Sequence, residues 1–347
     1  MADPASSSAR RVLPLLGLAL ALAHLSIGGW ILLTRWEVLR SAHPALLVLV
    51  LVVIALGLLH GALALRGAGV ARRRAATDAD DSHANSRKRR GVLAVTGRVA
   101  MVLLSIVLLA ATTWLRPFPA DAQALSTLDR AKVELTSTAT TITLHPAAGS
   151  TAAPSGASET EKVARTGLLF QPGARVDPRA YVPMLSRVAE AGYTVVIVKQ
   201  PLQIGFLATG AHRAIIDQHP EIDQWVLAGH SLGGVVASLA VEDPDVDALV
   251  LWASYPAGPL DVAEGIPVTS ISGTADGLTT PQDISAARAD LPADTRYVVI
   301  DGAVHAFFGD YGTQPGDGEP GISRAAAQEQ IIAATVATLD ELASQHR

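Results

Sequence analysis

Residues 229–234 read Gly-His-Ser-Leu-Gly-Gly, and Asp276 and His305 follow in that order. A serine hydroxyl is a poor nucleophile at neutral pH, so a base must take its proton. A histidine can be that base, and a carboxylate can fix its tautomer and stabilise the imidazolium. Ser231, Asp276 and His305 are therefore residue types that could attack a carbonyl carbon, if the fold brings them together. The pattern Gly-x-Ser-x-Gly is weak by itself in a chain with 29 glycines among 347 residues. Its flanking elements must decide.

Those flanks suit the chemistry. Trp225–Ala228 is a short apolar run that reads as a buried parallel strand, and Leu232–Ala240 is rich in Val, Ala and Leu and reads as a helix. Ser231 then sits on a sharp strand-to-helix turn. Gly229 and Gly233 remove side chains that would clash there, and Gly234 lets the helix pack tightly on the sheet. The turn holds the hydroxyl at a helix N-terminus, where N–H groups can stabilise a developing oxyanion. Residues 267–272 (PVTSIS) read as a strand, with Asp276 in the loop GTADG after it. Residues 295–300 (TRYVVI) read as another, with His305 in the following loop. All three residues fall at carboxyl ends of predicted parallel strands, where open α/β sheets build their sites.

The order Ser, Asp, His on such elements resembles the α/β-hydrolase superfamily over about residues 130–345. The stretch is similar to small, lidless members, of the dienelactone-hydrolase and bacterial esterase-like kind. The resemblance implies Ser231 as nucleophile, His305 as base and Asp276 as acid. It also implies an oxyanion hole built from the N–H of Leu232 and an N–H from the loop after an early strand. That strand reads as 167–170 (GLLF), and the loop is QPGA at 171–174. Relatives often carry His-Gly there, where this chain has Pro172-Gly173. Ala174 is the leading candidate for the second donor, with Gly173 close behind.

Competing readings exist for each residue. Ser231 could be a helix N-cap between glycines. Asp276 precedes Gly277, a common turn pair, and Asp283 and Asp301 are its rivals as the acid. His305 could be a structural loop histidine, and His230 reads as a neighbour of the nucleophile. Only residues 253–266 separate two strands after the nucleophile helix, which leaves no room for a cap. An open pocket for a small or exposed ester follows, with Trp252, Tyr255, Pro256 and Gln200-Pro201-Leu202 as possible walls. Asp310, Asp317 and Glu319 lie in a Gly/Asp-rich loop. They could hold Ca²⁺, although the spacing matches no known loop motif and a solvated rim is the simpler reading. The sequence implies no cofactor and no metal.

The front of the chain reads differently. Residues 12–33, 45–65 and about 92–115 are three mainly apolar runs, each long enough to cross a bilayer. Arg98 lies near the start of the third, where it can snorkel. Between the second and third runs lie eight basic residues (Arg66, Arg72, Arg73, Arg74, Arg87, Lys88, Arg89, Arg90) against three acids (Asp78, Asp80, Asp81). By the positive-inside rule that loop and the N-terminus face the cytoplasm. Three spans then put the C-terminal domain outside. Residues 1–115 carry 13 basic and 5 acidic groups, and residues 116–347 carry 14 and 27, net +8 and −13. An acidic exterior argues against a nucleic-acid partner. There is no cysteine, hence no disulfide and no thiolate metal site. Arg outnumbers Lys 23 to 4, which suits a GC-rich bacterial genome.

The expected organisation is a membrane anchor over 1–116, a connector over 117–130, and an α/β domain over 131–347. In that domain a Thr-rich hairpin (132–146) and a Gly/Ala/Ser/Pro loop (147–161) precede alternating strands and helices, so a mostly parallel sheet covered on both faces. The expected strands are 167–170, 193–198, 224–228, 247–252, 267–272 and 295–300. The expected helices are 179–191, 208–218, 232–241, 281–289 and 322–345. The expected function is a membrane-anchored serine hydrolase acting on a small or envelope ester, its partners that substrate and the lipid bilayer. Acyl transfer to another alcohol would use the same residues. A membrane scaffold that keeps the fold without activity is the competing class.

Overall fold

The computed structural model describes residues 4–75, 84–147, 165–260 and 266–345. Most of the expected loop at 147–161 lies outside them. The chain divides into two compact units: residues 1–36 with 45–116, and residues 37–44 with 117–347.

The first unit is helical: α1 (Pro4–Thr34), α3 (Pro44–Ala75) and α4 (Ala84–Trp114); the short α2 (Trp36–Ser41), between α1 and α3 in sequence, belongs to the second unit from residue 37 on. Two stretches are long and apolar enough to cross a membrane, Leu15–Thr34 (20 residues, mean hydropathy 1.9) and Pro44–Arg66 (23 residues, 2.8). Small residues let α1 and α3 approach closely. A Cβ on Gly57 would lie 2.9 Å from the Cβ of His24, and one on Gly28 2.6 Å from Ile54 Cγ1.

The third expected span is less clear. Its helix exists, but the apolar stretch of α4 with described side chains is only Val99–Trp114, shorter than the other two. Two apolar helices are clear where three were expected. The expected basic loop is also largely helical, because α3 continues to Ala75 and α4 begins at Ala84. Arg and Lys are good helix formers, so a polar composition does not stop a helix.

The second unit is a sheet of eight strands: β1 (Val133–Ser137), β2 (Thr141–Pro146), β3 (Thr166–Gln171), β4 (Thr194–Val198), β5 (Gln224–His230), β6 (Ala248–Trp252), β7 (Val268–Gly273) and β8 (Arg296–Ile300). Their spatial order is β1-β2-β4-β3-β5-β6-β7-β8. The hairpin β1–β2 is antiparallel and β2 joins β4 antiparallel, while the remaining pairs are parallel. Helices α6 (Val182–Glu190), α7 (Ala211–Gln218), α8 (Leu232–Ser238), α9 (Pro281–Ala286) and α10 (Arg324–Gln345) alternate with the strands.

Strand side chains alternate between two cores, as a period of two demands. Leu168, Phe170, Val226, Ala228, Val250 and Trp252 pack on one face with α6 and α10. Leu169, Trp225, Leu227, Leu249 and Leu251 pack on the other with α7 and α8. Strands β3 to β7 are buried throughout, whereas β8 at the edge keeps Val299 54% exposed.

Several helices are shorter than expected, because tight 3₁₀ turns replace their ends at Pro178–Tyr181, Gly205–Ala208 and Ala287–Asp290. Residues 117–130 hold a short helix, α5 (Ala122–Leu125), and a 3₁₀ turn. Asp121 caps α5 by accepting from Ala124 N–H. Phe118 N–H donates to Arg175 O at 2.7 Å, and Asp177 N–H donates back to Phe118 O at 2.9 Å. That segment therefore pairs with the chain just after the 171–174 loop.

Candidate active site

Ser231 lies between β5 and α8 with φ 52° and ψ −126°. An L-residue rarely adopts such angles, and they cost on the order of 1–3 kcal/mol. Four contacts hold the turn. Ser231 N–H donates to Trp252 O at 3.0 Å, and Ser254 Oγ–H donates to Ser231 O at 2.6 Å. A Cβ on Gly229 would lie 2.3 Å from Gly233 C, and one on Gly233 2.0 Å from Gln171 O. No other residue fits at those two positions without moving the backbone. Ser231 makes no side-chain capping bond to α8, so its geometry is not that of an N-cap.

The structure brings Asp276 and His305 together. His305 Nδ1–H donates to Asp276 Oδ2 at 2.9 Å, with both side chains buried. Asp276 Oδ1 accepts from Leu278 N–H at 2.8 Å and Thr279 N–H at 2.7 Å. The carboxylate is therefore locked by its own loop and presents one oxygen to the imidazole. The rivals are engaged elsewhere. Asp283 closes a capping box with Thr280 at the start of α9. Asp301 accepts from Thr274 Oγ1 at 2.9 Å. Ser231 Oγ makes no hydrogen bond among the described residues, as is common before substrate binds. His230, the residue before Ser231, has its ring centroid 4.5 Å from that of His305, so the chain that enters the Ser231 turn packs against this histidine.

The loop after β3 approaches the same turn. Gly173 N–H donates to Tyr181 Oη at 2.9 Å, so it is already occupied. Ala174 keeps its N–H unpaired among the described residues, which favours it over Gly173 as a donor to an oxyanion. Leu232 opens α8, and a first helical N–H has no intrahelical acceptor. Gln200 Nε2 donates to Gln171 Oε1 at 2.9 Å and to Pro172 O at 3.0 Å, steadying this loop from the end of β4. Gln200 is thus a brace and not an open wall. Trp252 is also no wall: it is fully buried and donates from Nε1 to Thr335 Oγ1 at 2.9 Å. Pro256 is buried, and Tyr255 is exposed.

His230 reads from the sequence as a neighbour of the nucleophile, and Tyr181 is singled out by nothing in it; the structure joins the two. Tyr181 Oη accepts from Gly173 N–H and makes a second hydrogen bond with His230 Nδ1, 2.9 Å away. Burial first, then the neighbouring His305, holds the His230 imidazole well below the usual histidine range, partly offset by the His305 backbone. An unfolded histidine titrates near ~6.5. Below that pH the unfolded chain binds the proton that folded His230 refuses. The stability contributed by neutral His230 is therefore full above ~6.5 and is lost as pH falls below it. The thermal midpoint of the second unit should drop on acidification from about pH 7 to 5, and His230→Gln should flatten that slope. An unchanged slope in the variant would contradict a buried neutral imidazole.

The Gly/Asp-rich loop does not gather its carboxylates. No group of three metal-binding side chains exists among the described residues. Asp310 accepts from Gln328 Nε2 at 3.0 Å, and burial raises its carboxyl above the ordinary range. Asp317 accepts four backbone N–H groups. The Ca²⁺ reading is therefore set aside. Arg324, at the start of α10, donates to the carbonyls of Ala306, Gly309 and Gly312 and so holds the chain around His305 from its acceptor side.

Residues 167–329 match the model of the alpha/beta hydrolase family. Among solved structures, a thermophilic esterase from Thermogutta terrifontis is 17% identical, with 61% of this chain and 92% of that one covered and a TM-score of 0.40. A monoacylglycerol lipase from Paleococcus ferrophilus is 15% identical, with coverage of 50% and 93% and a TM-score of 0.39. An alpha-beta serine hydrolase homologue from Coxiella burnetii is 14% identical, with coverage of 58% and 95% and a TM-score of 0.37. No curated protein matches the chain. The family match over residues 167–329 and the strand order that carries them show an alpha/beta hydrolase fold in this part of the chain.

Proposed function

We propose that the protein is a membrane-anchored serine hydrolase that cleaves a carboxylic ester through an acyl-enzyme. The observation that carries the reading is the buried Asp276–His305 pair beside the strained Ser231 turn. Ser231 Oγ attacks the ester carbonyl while His305 Nε2 takes its proton. Asp276 keeps the histidine's other proton on Nδ1 and stabilises the imidazolium. The N–H groups of Leu232 and Ala174 hold the oxyanion. His305 then protonates the leaving alkoxide, and water repeats the sequence to free the acid.

Only residues 253–267 separate β6 from β7, a short connection that suits a small or exposed ester. An ester of the cell envelope fits the proposed location. Helices α1 and α3 are the proposed spans, with α4 as the third. The described apolar stretch of α4, Val99–Trp114, continues an apolar run that begins at about residue 92 in the sequence. The His60–Ser105 hydrogen bond at 2.9 Å, which ties α3 to α4, supports α4 as part of the bundle. The basic residues between α3 and α4 favour a cytoplasmic N-terminus and an outward hydrolase domain. A protease added to intact cells should then degrade residues 120–347 of the full-length protein. Protection until the cells are opened would refute the outward orientation.

A further inference from the structure

Asp317 lies 12 residues after His305 and about 40 after the acid loop, yet it joins them. Its Oδ1 accepts from Gly277 N–H at 3.2 Å, from His305 N–H at 3.0 Å and from Gly318 N–H at 2.9 Å. Its Oδ2 accepts from Ala306 N–H at 2.8 Å. Gly277 follows Asp276 directly, and His305 and Ala306 open the 3₁₀ turn that carries the imidazole. That turn has no cap of its own, because Val304 precedes it and supplies no side-chain acceptor.

The backbones around this carboxylate leave no slack. A Cβ on Gly318 would lie 1.9 Å from Ala275 O, and one on Gly277 2.6 Å from Gly316 O. Loop 316–318 is therefore pressed against loop 275–277, with Asp317 bridging onward to the His305 turn. Burial, followed by Tyr181 and the carboxylates of Asp317 and Asp276, holds the nearby Tyr311 phenol neutral far above its ordinary range. No cation pairs with Asp317 among the described residues. Its partners are all N–H donors, and only an acceptor-only group satisfies all of them.

We propose that Asp317 is a positioning residue that sets the distance between Asp276 and His305, a clasp between the acid and base loops. This rests on the hydrolase reading above. Asparagine is nearly isosteric but turns an NH₂ toward at least one of those N–H groups. Asp317→Asn should therefore loosen the clasp, as should Asp317→Ala. Misplacing a base by about 1 Å can cost on the order of 10²-fold in rate. Substrate contacts do not involve Asp317, so the loss should fall on kcat and leave KM nearly unchanged.

The test uses the full-length protein in detergent, with short-chain nitrophenyl esters and a fluorophosphonate probe, for wild type, Asp317→Ala, Asp317→Asn and Asp283→Ala. Asp283 caps α9 and touches neither His305 nor Asp276, so its variant controls for a comparable loss of stability. Expected are a fall in kcat of roughly 10²-fold with KM within about threefold for both Asp317 variants, equally slowed probe labelling, and unimpaired kcat in Asp283→Ala. If Asp317→Ala does not fold, the isosteric Asp317→Asn carries the comparison. A folded Asp317 variant with wild-type kcat and labelling rate would overturn the clasp and leave the hydrolase reading standing. A wild type that neither labels nor turns over would defeat the hydrolase reading itself, and the clasp with it.

Discussion

Replacing Ser231 with alanine should lower ester turnover by about 10⁴–10⁶-fold while leaving the fold intact. The argument is local. Every backbone bond that shapes the turn is made by the N–H and C=O of Ser231, not by its hydroxyl. The side chain is thus free of structural duty, and losing it removes only the nucleophile. Alanine has the same Cβ, so the strained φ of 52° is no worse accommodated. Comparing turnover and thermal midpoint of wild type and Ser231→Ala in detergent checks both halves. Residual turnover within about tenfold of wild type would mean another group attacks.

Asp276→Asn should cost about 10⁴-fold in kcat with little change in KM. The two oxygens of Asp276 face different partners. Oδ1 faces two fixed N–H donors, those of Leu278 and Thr279, and only an oxygen can sit there. An asparagine must therefore turn its NH₂ toward His305 Nδ1. A donor at that position makes Nδ1 the acceptor and moves the imidazole proton to Nε2. The histidine then offers Ser231 a proton instead of taking one. Asp276→Ala should be no worse than asparagine in rate but less stable, since it also frees the two loop N–H groups. Steady-state kinetics of the two variants beside thermal melts distinguish these effects.

Much of this site is legible in the chain because its signals are local. The glycines around Ser231 are required by contacts within the turn and with the adjacent loop. Strands β4 and β6 are buried on both faces and read as continuous apolar runs, as does Trp225–Ala228 in β5. Asp276 and His305 stand in the loops that follow β7 and β8. What stayed hidden depends on contacts far apart in sequence. Asp317 reads as a solvated rim because nothing nearby shows that Gly277, 40 residues earlier, will lie against it. Tyr181 looks like one more core aromatic until its hydroxyl is seen between Gly173 and His230. Trp252 was a possible pocket wall, but the β6 register points it into the core toward Thr335.

The central claim is that the Asp276–His305 pair activates Ser231. Its most direct test is fluorophosphonate labelling of the full-length protein in detergent, with the adduct located by peptide mass spectrometry. The account predicts one covalent adduct, on Ser231, that is absent when the same protein is heat-denatured before labelling. A folded protein that gains no adduct, or gains it on another residue, would contradict the claim.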